Sequence, residues 1–458
     1  MSLPWLIPCL LLVAFSLIQG MLLLLQTWEH RRYVRNSMRD LERHRPQGKA
    51  MVFAPCKGVD PDLEANLSAL LQQDHPEYEV VFIVEDRDDP AYPVVLRLLG
   101  EPRKCAARVV IAGRAQNSGQ KVHNLRVATG YLEPDVKYLA FVDSDAQPRP
   151  EWLRMLLSRL SNPDLGASTG YRWFVGQRPS LSHWLLASIN TGIMMLLGRR
   201  SYCLVWGGSW ALRREVFDSL AIRQAWQGTV SDDLVVTQVL RQAGYQTRFE
   251  PAAVVASPLM ASMSQAFGFM RRQYVISRVY VPAWWSFGLA ATTLTLLGFA
   301  AAVAAVIASL VWGSPPLWLS GGAAVAIYGM GVLRGMLRQS LVPVYFPERA
   351  RKMVAAGWFD ILAGPLVTFA NWLGMVSSIF GSTITWRGNR YRLLSNGKVR
   401  LLSPVAKTPQ VQPQVVLHYR VERKTSAARR RMSAPLRPVE PPIPAVARHA
   451  EPPEKLPE

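Results

Sequence analysis

"KYLAFVDSDAQPRPEWL", residues 137–153, contains an apolar run, Tyr138 to Val142, that stops on two aspartates one residue apart, Asp143 and Asp145. Charge at the end of a buried strand is costly unless something compensates it. The run reads as a buried strand that aims an acidic pair at the edge of a sheet. Working outward, "AMVFAP" (50–55), "YEVVFIVED" (78–86) and "ARVVIAG" (107–113) have the same short apolar form. Between them, "DPDLEANLSALLQQD" (60–74), with Asp60 as its candidate cap, and "KVHNLRVATGYLEP" (121–134) have helical spacing. Strands alternating with helices predict an α/β fold around a mostly parallel sheet, with ligands at the carboxyl ends of the strands. Lys57, Asp86 and Asp143 all fall at such ends.

On either side of this region the chain turns apolar. Residues 1–28 carry no charged side chain, and further apolar runs occupy 284–312, 316–333 and about 357–384. About 20 apolar residues suffice to cross a bilayer as a helix. The first run lacks a basic leader and a small-residue cleavage site, so it reads as an anchor rather than a signal peptide. The 357–384 stretch is interrupted by Asp360, Pro365 and Asn371. A re-entrant or two-part segment keeps the basic "WRGNRYR" (386–392) on the same side as the other basic flanks. The net charge of +20 gathers beside the apolar runs, in "HRRYVRNSMRDLERHR", "RGMLRQ" and "ERARK". That placement marks a cytoplasmic membrane face and gives no nucleic-acid motif. The four cysteines form no close pairs, which suits a reducing compartment.

The expected division is an anchor over 1–28, a basic linker over 29–49, and a cytoplasmic catalytic domain over 50–283. A membrane region with two to four segments over 284–386, a basic juxtamembrane stretch over 387–403 and a disordered Pro/Arg-rich tail over 404–458 complete it.

Carboxylates at i and i+2 on a strand end can meet a hard cation, and Mg²⁺ or Mn²⁺ beside a phosphate is the expected use. Asp145 is the first candidate ligand; Asp143 either shares the ion or binds a ribose hydroxyl. Asp86, nearest the strand in "VEDRDDPA", can accept a hydrogen bond from a nucleotide base. Lys121 opens a helix, where an ammonium can neutralise a diphosphate. Asp232 and Asp233 also open a helix, in "SDDLVVTQVLRQAGY", and two adjacent acids exceed what a cap requires. One of them can deprotonate an attacking hydroxyl.

Taken together, "KGVDPDLEANL", "VEDRDDPA", "NSGQKVHNL", "FVDSDAQP", "VWGGSWALRREVFD" and "SDDLVVTQVLRQAGYQTRFEP" resemble the membrane-bound family 2-type glycosyltransferases. Their closest likeness is to the ceramide glucosyltransferase branch, over roughly residues 50–285, and the hopanoid-associated glycosyltransferases look similar too. The resemblance implies a nucleotide-sugar-binding α/β domain of the GT-A type with flanking transmembrane helices. It implies a UDP-sugar donor and a membrane lipid acceptor, with inverting transfer. Asp86 would lie at the uracil end, Lys57 and Lys121 on the donor, and Asp143 and Asp145 on a divalent cation. Asp233 would be the base with Asp232 supporting it, and Gly207, Gly208 and Ser209 would line the acceptor side. The family's closing Arg-Trp is replaced by Gln273-Tyr274 in "FMRRQYVISRVY" (269–280), leaving Arg271, Arg272 or Arg278 to supply the charge and Tyr274 the aromatic surface. Two rivals remain at this level: a processive polysaccharide synthase, and a catalytically silent scaffold.

Overall fold

The computed structural model describes residues 6–39, 45–176, 178–198, 203–402 and 413–419. Its centre is a mixed eight-stranded sheet. The strands are β1 (Lys49–Pro55), β2 (Tyr78–Val84), β3 (Ala106–Ile111), β4 (Val136–Val142), β5 (Leu165–Gly176), β6 (Ser209–Arg213), β7 (Gln246–Leu259) and β11 (Gln414–Tyr419), in the order β11-β3-β2-β1-β4-β6-β5-β7. Strands β1 to β4 run parallel to one another. Both faces are covered, so their side chains are buried almost without alternation. Because the four are parallel, Lys57, Glu85, Arg114 and Asp143 all emerge at one edge.

Strand β6 runs antiparallel to β4, with Val142 opposite Ser209. That register brings Gly207 and Gly208 beside Asp143, whose N–H donates to the Gly208 carbonyl at 3.4 Å. Beneath the edge, Phe141 stacks on Trp210 at 4.2 Å, and Trp226 meets both rings edge-on. Such pairs add about 0.5–1.5 kcal/mol each beyond burial, which fixes β4 against β6. The strand and helix series expected from the sequence is therefore present.

Among the described residues, three helices are long and apolar enough to cross a membrane: Ile7–Ser37, Pro282–Trp312 and Leu317–Tyr345. The first continues past the uncharged stretch through Arg35. His30 stacks on Phe249, and the Tyr33 hydroxyl donates to the Phe249 carbonyl at 2.7 Å, so the charged end of this helix docks on the domain. Gly298 permits the first two spans to touch, since a Cβ there would lie 1.6 Å from Ser16 Oγ. After the third span, Ala350–Leu362 and Gly364–Ser377 form a pair bent by 83°.

The last residues of the stretch read as membrane region and most of the stretch read as juxtamembrane form a three-stranded sheet: β8 (Thr383–Trp386), β9 (Asn389–Leu393) and β10 (Val399–Leu401). The β8–β9 turn is Arg387-Gly388, both with positive φ, 48° and 82°. Such a two-residue turn matches the strand twist. The sheet folds back onto the α/β domain, where the Val399 N–H donates to the Gly228 carbonyl at 2.8 Å. Of the tail, residues 414–419 pair with β3; the rest of 404–458 apart from Pro413 lies outside the described residues.

Candidate active site

Four carboxylates and two cations meet where β4, β6 and β5 approach two helix starts. Arg172, on β5, places Nη1 2.7 Å from Asp143 and 2.6 Å from Asp145. Lys121, at the start of helix Gln120–Ala128, lies 2.8 Å from Asp143 and 3.0 Å from Asp232, and donates to the Gly207 carbonyl at 3.0 Å. Asp232 and Asp233 open helix Asp232–Gln242 behind the Ser231 cap. Asp233 accepts from the Gly207 N–H at 2.8 Å, from the Leu234 N–H at 2.8 Å and from the Ser231 hydroxyl. The glycines are there for space: a Cβ on Gly208 would come within 2.1 Å of Arg172 Cδ.

The electrostatics separate these acids. Burial alone raises the Asp143 carboxyl, but Lys121 and Arg172 outweigh it and hold the group below the ordinary carboxylate range. Asp145 is raised by burial, which Arg172 only partly offsets, and by its neighbour Asp143. Burial pushes Asp232 up to about 6 against the pull of Lys121, and its Oδ2 is a buried oxygen without a hydrogen-bond partner among the described residues. Burial opposes the Lys121 charge, yet the surrounding aspartates keep its pKa above the usual lysine value. An acid that must be ionised to hold Lys121 predicts an acidic limb in any activity of this site. Activity falls as pH drops through about 6, where Asp232 takes up a proton. In Asp232→Asn that limb is absent from the pH profile, whatever activity remains.

Asp143 and Asp145 aim oxygens at one nitrogen of Arg172, so they can share a single cation. No group of three or more His, Cys, Asp or Glu side chains gathers as a metal site among the described residues. Two carboxylates with oxygens from phosphate and water match the habit of Mg²⁺, which keeps few protein ligands.

The other candidates divide. Lys57 ion-pairs with Glu85, and Asp86 lies 3.3 Å from Arg114. Lys57 lines the cavity described below, whereas Asp86 and Ser209 are not in its wall. Ser209 is wholly buried, accepting from Trp152 Nε1 at 2.9 Å and donating to the Ala253 carbonyl at 2.9 Å. Arg271 and Arg278 are occupied with backbone carbonyls of residues 379–383. Gln273 is in the cavity wall, as is Tyr274, whose hydroxyl donates to Asn371. Arg272 lies over Trp386 at 5.6 Å and donates to the Thr385 carbonyl at 3.3 Å. Burial, Arg172 and Arg387 lower its pKa to about 10. Asp60, expected to cap a helix, pairs instead with Arg387 at 2.6 Å; the cap position belongs to Asp62, in left-handed backbone.

Arg172 and Arg387 are the residues that sequence patterning missed. Arg172 sits inside an apolar strand, and Arg387 arrives from beyond the membrane region. Both line a cavity of about 1400 Å³ that holds Asp143, Asp145, Asp232 and Asp233 at one end and reaches Phe299 and Ile327 of the spans at the other.

A family model described as glycosyl transferase family 21 matches residues 10–399. Among curated proteins, a ceramide glucosyltransferase of Komagataella phaffii (strain GS115) is 30% identical over 99 residues, 20% of this chain and 19% of that protein. The match thus spans about a fifth of that relative's length. Among solved structures, the mannosyltransferase PcManGT from Pyrobaculum calidifontis in complex with GDP-Man and Mn2+ aligns at TM-score 0.40 and 16% identity, covering 80% of this chain and 97% of that one.

Proposed function

The chain belongs to glycosyl transferase family 21, and from that premise we propose that it transfers a hexose from a UDP-sugar to the hydroxyl of a membrane lipid, inverting the anomeric centre. One observation carries the lipid reading: a single cavity is lined both by the carboxylates and by apolar side chains of the spans. A hydroxyl at headgroup level can therefore reach Asp233 while its tails stay in hydrocarbon. The catalytic domain then faces the cytoplasm, in keeping with the basic flanks of the spans.

In this reading Asp233 accepts the proton from the attacking hydroxyl. Its carboxylate is oriented by three donors, and Asp232 supports it from the same helix turn. Lys121, Arg172, Arg272 and Arg387 face the departing diphosphate, whose charge grows as the glycosidic bond breaks. Lys57 and Asp86 mark the nucleoside end of the sheet edge. Asp143 and Asp145 would hold a divalent cation, which supplies countercharge to the diphosphate when bound.

Membranes containing the chain, given labelled UDP-sugars in turn, are expected to yield label in an organic-solvent extract, running as a lipid. Label retained at the chromatographic origin as polymer would favour a processive synthase. No transfer from any UDP-sugar would favour the silent scaffold.

A further inference from the structure

Both oxygens of Asp143 already hold a cation. Oδ1 lies 2.8 Å from Lys121 Nζ, and Oδ2 lies 2.7 Å from Arg172 Nη1. The same Arg172 nitrogen reaches Asp145 Oδ1 at 2.6 Å. The point on which the two acids converge is therefore held by a guanidinium of the chain itself. A divalent ion shared by Asp143 and Asp145 needs an oxygen from each, and a third cation crowded onto Asp143 is repelled by the first two. One of them has to give way.

What else each cation holds distinguishes them. Lys121 is tied on three sides, to Asp143, to Asp232 at 3.0 Å and to the Gly207 carbonyl at 3.0 Å. Arg172 has Asp143 and Asp145 as its hydrogen-bonding partners, with no other among the described residues. These are the two acids that the ion would take, so Arg172 is the cation in direct competition with it.

Arg172 does not leave by titration. A guanidinium keeps its proton throughout the pH range of a folded protein. Burial opposes its charge, yet Asp145 and Asp143 raise its pKa further. It leaves by exchange, when another anion takes the guanidinium. Arg172 lines the same cavity as Arg272 and Arg387, with its guanidinium carbon 5.5 Å from the centre of the Phe174 ring. It stands near enough to Arg272 that its charge adds to burial in lowering the Arg272 pKa. An anion held by Arg272 is thus within the electrostatic reach of Arg172.

We propose that Arg172 is the resident cation of the acid pair and is exchanged on donor binding, the divalent ion taking Asp143 and Asp145 while the guanidinium passes to the diphosphate. This rests on the reading above that a nucleotide diphosphate and a divalent ion share the site. Metal alone has to displace a guanidinium with no anion to receive it. Diphosphate alone has to draw the guanidinium off two carboxylates. Each ligand relieves the cost met by the other, and by linkage the coupling is equal in both directions. Arg172 is in this sense a positioning residue: it keeps the acid pair closed to metal until the donor arrives.

The test uses the full chain in detergent with Mn²⁺ and UDP as probes, and with no sugar or acceptor present. The free Mn²⁺ signal in electron paramagnetic resonance gives the affinity. Without UDP, Arg172→Gln is expected to bind Mn²⁺ at least about tenfold more tightly than the wild type, the scale of a hydrogen bond between charged groups. Because UDP chelates Mn²⁺ itself, both proteins bind the ion more tightly once UDP is added. The gain in Arg172→Gln is smaller than the wild-type gain by that same factor. Arg272→Gln removes an equal charge from the cavity without touching either acid, and leaves the affinity without UDP within about threefold. Thermal unfolding gives a second readout, since Arg172→Gln leaves two acids facing each other. Mn²⁺ raises the unfolding midpoint of that variant by more than it raises the wild type's. Should Arg172→Gln fail to fold even with Mn²⁺, Arg172→Lys carries the comparison. Its compact, strongly hydrated ammonium replaces the planar guanidinium, and its Mn²⁺ affinity lies above that of the wild type.

Variants that bind Mn²⁺ no better than the wild type overturn the proposal. So do equal gains in Arg172→Gln and Arg272→Gln, which assign the effect to net charge, and so does a wild type that binds Mn²⁺ in neither state. Exchange without transfer of sugar to any lipid sinks the proposed function and leaves the role of Arg172 standing. Transfer without a gain in the variants does the reverse.

Discussion

Replacing Asp233 with Asn is expected to reduce turnover by about 10²–10⁴-fold, the span of general base catalysis, with UDP affinity unchanged within about twofold. The asymmetry follows from what the side chain touches. All three contacts of Asp233 are donors belonging to the protein: the Gly207 and Leu234 N–H groups and the Ser231 hydroxyl. None of them lies among the cations that face a diphosphate. An amide keeps one oxygen for Ser231 and Leu234 but turns an NH₂ toward the Gly207 N–H, a clash of donors that costs about 1–3 kcal/mol locally. Asp233→Ala removes that clash as well as the carboxylate. Equal losses of turnover in both variants assign the effect to the missing base, whereas recovery in the alanine variant assigns it to the clash. Full activity in Asp233→Asn removes the residue from the role.

Asp232 sharpens the comparison because it differs from Asp233 in its surroundings rather than its chemistry. It is held through Lys121, carries an oxygen without a hydrogen-bond partner among the described residues, and titrates near 6. Loss of Asp232 removes one of the carboxylates that hold Lys121, the other close one being Asp143, so its substitution disturbs donor binding as well as turnover. A proton acceptor and a group that positions a cation thus separate by their effects on KM and kcat.

The parts of the fold and site that were legible in the sequence are those marked by local pattern. Asp143 stands where an apolar run ends, and Asp232 and Asp233 stand where a helical run begins. Both boundaries survive folding because burial of β4 and the Ser231 cap set them within a few residues. The parallel sheet then brings distant strand ends to one edge, a consequence of the α/β alternation itself. Arg172 was illegible because "GYRWFV" reads as an ordinary buried strand. Its place over Asp143 and Asp145 depends on β5 pairing with β6, far apart in sequence. Ser209 misled for a related reason. Adjacent in sequence to Gly207 and Gly208, it points to the other side of the sheet, toward Trp152 and Ala253. Asp60 had the right spacing for a cap, yet the helix begins after Asp62 and the Asp60 carboxylate pairs with Arg387. The basic run at 386–392 has two readings, one at the lipid surface and one at a protein carboxylate. Only the tertiary path, which folds β8 and β9 back over the domain, separates them.

That path makes Arg387 the second informative target. Arg387 adopts left-handed backbone, φ 48°, at a cost of about 1 kcal/mol for a residue with a Cβ. It brings a guanidinium to the part of the cavity wall that holds Arg172 and Arg272, and burial together with the neighbouring charges of Arg172 and Arg387 lowers the Arg272 pKa to about 10. Like charges gathered this way are unfavourable until an anion joins them, and a diphosphate is such an anion. Arg387→Gln is therefore expected to raise the donor KM by about 10–100-fold, the equivalent of one hydrogen bond between charged groups, with a smaller change in kcat. Arg387→Lys restores part of the loss. The contact with Asp60 supplies the control. If the ion pair served only to pin the hairpin, Asp60→Asn and Arg387→Gln would weaken donor binding alike, since each breaks the same bridge. If Arg387 serves the diphosphate, Asp60→Asn frees the guanidinium and removes a competing carboxylate, so the donor KM stays level or falls. Steady-state kinetics on the two single variants, with the sign of the Asp60→Asn change as the readout, decides between the two roles.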